Sequence, residues 1–228
     1  MSAARRNGSA GRWFWAAVAV SLLASLTPWA RFLLYPFKLF TTWVHESGHA
    51  VMTVIVGGRV MSMAIAPDTS GLTLSVVPGG RIARGLVASS GYLGAAIVGC
   101  LLIASIRVQK WAHVILLSLG ALMLLTLVFW VRNLFGAVAV LAWSLALITL
   151  ARRGVANALR FFLSLLAIQV ALNAVYDIRV LFLIDRRPSD AATMAQLFLL
   201  PSWVWATTWM LMSVAMLGAT LWLTRDRR

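Results

Sequence analysis

Apolar runs about as long as a bilayer is thick follow one another along this chain, from Trp13 to about residue 224. Each approaches the ~20 residues a helix needs to cross the hydrocarbon core. The breaks between them are short and basic, as in "RVQK" and "ARRG". Hydrophobic residues make up 61% of the 228, against roughly 45–50% in soluble domains. The expected fold is therefore an all-α polytopic membrane protein. It should have about six or seven transmembrane helices and one short membrane-associated β-hairpin.

Charge supports that placement. The net charge is +14, and most of the 20 Lys and Arg residues sit in the breaks between runs. Anionic lipid headgroups and membrane topology call for this pattern. Nucleic acid is not an expected partner, because no basic fold lies outside the apolar runs. The single cysteine, Cys100, excludes an internal disulfide.

Residues 1–12 read as a basic disordered tail and 225–228 as a second basic tail, with one integral membrane domain over 13–224. A first span is expected at about 13–30, retained rather than cleaved because "SLTPWARF" is a poor processing site. The second, about 36–56, should stop at Gly57-Gly58. Residues 59–78 then alternate around the turn signal "PDTSG" and read as the β-hairpin. A third span, about 82–106, places Ser90 and Gly94, Gly91 and Ala95, and Ala95 and Gly99 four apart, a spacing that lets helices approach closely. Further runs cover about 111–131, 134–151, 159–184 and 192–224, the last expected to kink or turn at Pro201. Positive charge is similar on the two sides and does not orient the chain.

The chemistry is concentrated in "TTWVHESGHA", inside the second span. Two of the three histidines and the only glutamate fall within five positions there. On a helix His45 and His49 share a face, one turn apart. They can take adjacent corners of a tetrahedral zinc site while Glu46 acts on the zinc-bound water as general base. An ionisable group near the bilayer centre costs at least ~2.5–3.5 kcal/mol, which argues against a cluster without function. A structural zinc site would usually close with four protein ligands, often cysteines, and only Cys100 is present.

A third ligand must come from the remaining acids. Asp68 lies in the hairpin turn, Asp185 and Asp190 flank "RRPS" at a membrane boundary, and Asp226 is in the tail. Asp177, in "NAVYDIRVLF", is the one inside an expected span and is the expected ligand. Arg179 is not its intrahelical partner, since residues two apart do not face each other. Asn173, one turn earlier, can orient Asp177, hold a substrate carbonyl, or bond a neighbouring helix. His113 reads as an interfacial residue, and Asn133 as a helix cap or loop contact.

"HESGHA" in a span, then "GGRV", a hairpin with "PDTSG" and "ASSGYLGAAIVG" resemble the site-2 protease superfamily of intramembrane zinc metalloproteases. The closer similarity is to its compact bacterial B-like branch, over about residues 38–100, with weaker similarity in "VRNLFG" and "NAVYDIRVLF". The resemblance implies a zinc ion held by His45, His49 and Asp177, with Glu46 as catalytic base. It also implies that the hairpin presents an extended substrate by strand addition. Here Asp177 is followed by Ile178, where the superfamily has an Asp-Gly pair. No separate peptide-binding domain is expected.

The expected function is a zinc-dependent endopeptidase of membrane protein substrates, multi-pass in a bacterial cytoplasmic membrane. The alternative is a catalytically silent metal-binding membrane protein with a regulatory or scaffold role. A transporter is disfavoured because no inverted repeat or paired helix breaks are present.

Overall fold

The computed structural model describes residues 16, 19–21, 31–105, 109–183 and 189–223; side chains at 31, 109–111, 156, 157, 160 and 173–183 lie outside that description. The expected first span, 13–30, falls almost wholly outside it. The described chain is helical apart from one hairpin. Its elements are α1 (Arg31–Ile55), β1 (Arg59–Ile65), β2 (Gly71–Val76), α2 (Arg81–Ser105), α3 (Gln109–Phe129), α4 (Leu134–Arg153), α5 (Ala156–Leu183), α6 (Asp190–Phe198) and α7 (Ser202–Leu223).

Helix α1 carries "HESGH" and runs through Pro36 rather than starting there. A proline this near the N-terminal end forfeits one helical hydrogen bond, and its own carbonyl accepts one from Trp143 Nε1 at 3.0 Å. The expected stop at the glycine pair is present. Gly57 takes φ +77°, its N–H donates to Val54 O, and the Gly58 N–H donates back to Thr53 O. This is the left-handed cap that glycine makes without steric cost.

The strands are antiparallel, with Met63 opposite Thr73 and Ile65 opposite Gly71, and the register shifts between Val60 and Ser62. The Asp68 carboxylate closes the turn by accepting from the Ser70 N–H at 3.0 Å. The hairpin lies along α1. Tyr35 donates to Pro67 O, Thr42 to Thr69 O, Thr73 to Glu46 Oε2 and Thr53 to Ser75 Oγ.

The other edge of β1 is occupied. The Met63 N–H donates to Trp130 O at 2.7 Å and Met63 O accepts from the Arg132 N–H at 3.0 Å, so residues 130–133 continue the sheet. Asn133 stands at the N-cap of α4 without capping it, which forgoes about 1 kcal/mol. Its amide instead pairs with the backbone of Ile65, Nδ2 donating to O at 2.7 Å and Oδ1 accepting from N at 3.2 Å. Asn133 is thus a loop contact rather than a helix cap.

Four described helices are long and apolar enough to cross a membrane: Arg81–Ser105, Ala112–Phe129, Leu134–Arg153 and Ser202–Leu223. By that measure four of the six or seven expected crossings are found among the described residues. Helix α1 is 25 residues long but bears Lys38, His45, Glu46 and His49. In α5 the apolar stretch among the described residues is Phe161–Leu172. The expected run over 192–224 is two helices, because Pro201 lacks an N–H and disfavours helical geometry at Leu200.

The main core joins α1, β1 and α3 to α5 through Phe40, Trp43, Met63, Leu116 and Leu166. A second cluster, of Ala88, Tyr92, Met194, Ala206 and Trp209, ties α6 to α2 and α7. Ring nitrogen Nδ1 of His113 donates to Ala151 O at 2.7 Å, so this histidine joins α3 to α4.

Candidate metal centre

His45 and His49 project from one face of α1, as the four-residue spacing requires. Their rings meet edge to face, with centroids 4.7 Å apart. Helix α2 crosses α1 at this level on glycines. A Cβ on Gly48 would collide with Ser90 O, and one on Gly94 would lie 3.5 Å from the Gly48 Cα. The small-residue stripe of α2 therefore faces the motif helix itself. Gly91 is the critical member, because a Cβ there would lie 2.5 Å from His45 Nε2 and 2.6 Å from His49 Nε2.

The third group is Asp190, at the start of α6. Ser189 caps that helix by accepting from the Ala192 N–H at 3.2 Å, and Asp190 occupies its first turn, where the helix dipole favours an anion. Its Oδ2 lies 3.2 Å from His45 Nε2 and 3.3 Å from His49 Nε2. The two Nε2 atoms are 3.0 Å apart.

These three atoms fit a metal ion. Donors ~2.0–2.1 Å from a tetrahedral centre stand roughly 3.3–3.4 Å apart, close to the observed triangle. The His49 ring is oriented for it: Nδ1–H donates to Val87 O at 2.7 Å, so Nε2 of the neutral ring presents a lone pair. Metal-bound histidines are characteristically held this way. Two nitrogen donors and a carboxylate converging at about 3 Å need a cation or protons between them.

The sequence reading set Asp190 aside as a boundary residue, yet it is the carboxylate that meets the histidines among the described residues. Asp177 belongs to α5, but its side chain and that of Asn173 lie outside the described residues. One local signal did mark Asp190. "PSDAA" is a helix start, a serine cap followed by an acid, at the head of a nine-residue helix whose apolar face must pack on something.

Glu46 is buried, 5% exposed. Its Oε2 accepts from Thr73 Oγ1 at 2.6 Å. Tyr92 meets the His45 ring edge-on at 4.7 Å and stacks on Trp209 at 5.0 Å, so an aromatic wall backs His45. Neither Thr73 nor Tyr92 carries a motif signature in the sequence. Both follow from packing.

Gly91→Ala is expected to cost metal without costing the helix. Alanine is favoured over glycine in a helix interior by ~1 kcal/mol, but its methyl would occupy the space of the His45 and His49 Nε2 atoms. Metal content and thermal unfolding of the purified variant check this: full metal occupancy would contradict it.

A family model described as Peptidase M50B-like matches residues 15–220. Searches of curated proteins and of solved structures give no match. The matched region contains the histidines, Glu46, Asp190 and nearly all of the four helices able to cross a bilayer, and the chain is an integral membrane protein. Since the match leaves out only the two ends of the 228 residues, the chain belongs to the Peptidase M50B-like family.

Proposed function

We propose that this protein is a zinc-dependent intramembrane endopeptidase, with His45, His49 and Asp190 as the protein ligands and Glu46 as the general base. The observation that carries the reading is the triangle made by one carboxylate oxygen from the start of α6 and two imidazole nitrogens of the helix that also bears a buried glutamate. When bound, zinc supplies Lewis acidity toward the peptide carbonyl and makes a neighbouring water easier to deprotonate.

The chain's own residues account for the rest. Val87 O orients His49, and Asp190 brings the negative charge that offsets the cation. Glu46 takes a proton from the water that attacks the carbonyl carbon. As the C–N bond breaks, Glu46 returns that proton to the departing nitrogen. One peptide bond and one water thus become a carboxyl group and an amine.

A protease must meet an extended backbone. Residues 130–133 occupy the outer edge of β1, whereas among the described residues no strand pairs with the outer edge of β2. A membrane-protein substrate would add to β2, with Leu72, Leu74 and Val76 exposed on its outward face. The bacterial cytoplasmic membrane, with its anionic headgroups, is the proposed location.

The test is cleavage of a membrane-helix reporter by detergent-purified protein before and after metal stripping. Activity should vanish on stripping and return with stoichiometric zinc. Cleavage that continues in metal-free protein would defeat the proposal.

A further inference from the structure

Strand β2 contacts Glu46 at two positions. Thr73 Oγ1 lies 2.6 Å from Glu46 Oε2 and 3.2 Å from its backbone carbonyl. A hydroxyl has one proton, so the shorter contact, to the charged oxygen, takes it. Gly71 lies two residues earlier on the same strand face. A Cβ there would collide with Oε1 and lie 2.6 Å from Cγ. One carboxylate oxygen is therefore held by a hydroxyl, while the other faces space that any side chain at position 71 would fill.

The strand is braced at these same two positions. Opposite Thr73 is Met63 and opposite Gly71 is Ile65. Met63 is held through both backbone groups by Trp130 and Arg132, and Ile65 through both by the Asn133 amide. Gly136 makes room for this, since a Cβ there would strike Asn133 Oδ1. A one-residue slip would turn Thr73 away from α1, and the brace opposes that slip beside Glu46.

We propose that Thr73 is the positioning residue of Glu46: its hydroxyl holds Oε2 so that Oε1 is the oxygen that exchanges protons, with residues 130–133 keeping the strand in register. This rests on the reading of Glu46 as general base. It concerns orientation of the carboxylate and makes no claim on metal affinity.

The test exploits a property of the sequence. Glu46 is the only glutamate in the chain, so cell-free synthesis with [δ-13C]glutamate labels one carboxyl group, readable by NMR or infrared spectroscopy. Full-length wild type, Thr73→Val and Thr73→Ser are compared for that signal, zinc content, and kcat and KM on the reporter. Valine keeps the branched shape and removes the hydroxyl; serine restores it.

Thr73→Val should keep zinc, shift the Glu46 signal and lower kcat about 10- to 100-fold, with KM within about twofold. Thr73→Ser should return both signal and kcat toward wild type. An unshifted signal in Thr73→Val overturns the proposal, as does a shift with unchanged kcat. So does a serine variant that behaves like valine, including one that, like valine, fails to fold or loses zinc. If wild type cleaves no reporter, the endopeptidase reading fails instead, and the labelled carboxyl still decides whether Thr73 holds Glu46.

Discussion

Asp190→Ala is expected to empty the metal centre, with zinc affinity falling by more than about 100-fold. Removing a partner outside the ligand shell typically costs 10–100-fold. Here the loss is one of three converging donor atoms and the negative charge that offsets the cation. The fold should survive. Helix α6 keeps its Ser189 cap and its contacts through Ala191 and Met194, and loses only the favourable placement of an acid in its first turn, worth about 0.3–1 kcal/mol. Zinc content by mass spectrometry of purified protein, with thermal unfolding as the control, gives the result. Asp177→Ala is the contrasting arm. Full zinc there, with loss in Asp190→Ala, assigns the third ligand to Asp190. The opposite pattern returns it to Asp177.

Glu46→Gln should separate chemistry from metal binding. The amide matches the carboxylate in size, and its oxygen can still accept from Thr73, so packing beneath Gly71 is preserved. It cannot accept a proton from water at neutral pH. General acid–base catalysis contributes about 10²–10⁴-fold, and the reporter kcat should drop by at least that range's lower end. Zinc should remain near stoichiometric, because Glu46 is not among the three converging donors. A variant that retains more than about a tenth of wild-type kcat would remove Glu46 from the role of base.

The parts of the site read most directly from the sequence are those made by local geometry. His45 and His49 share a face because helical periodicity leaves no alternative. The hairpin over 59–78 was legible from alternation and its turn residues, and the stop of α1 from its glycine pair. The small residues of α2 announced a close helix crossing. They did not say that the partner would be Gly48, or that Gly91 would lie against the nitrogens of His45 and His49.

What the sequence did not disclose depends on distance along the chain. Asp190 is 145 positions from His45, and no periodicity relates them. They meet because a nine-residue helix packs its apolar face on α2 and α7, and its N-terminus then falls at the histidines. Depth in an apolar run pointed to Asp177, whose side chain lies outside the described residues; hydropathy ranks residues by surroundings in sequence and gave no sign that the start of α6 folds back to the histidines. Thr73 escaped for a related reason, and for Asn133 the sequence leaves both a helix cap and a loop contact open. A threonine in a strand and an asparagine before a helix are ordinary locally, and their roles arise from a cross-strand register.

The sequence by itself determined an apolar helical chain, two histidines and a glutamate close together on one helix, and a hairpin following it, because all of these are set by contacts within a few residues. Only the tertiary structure decided which carboxylate meets the histidines and what holds Glu46, because those contacts form between elements whose pairing depends on packing across the whole molecule.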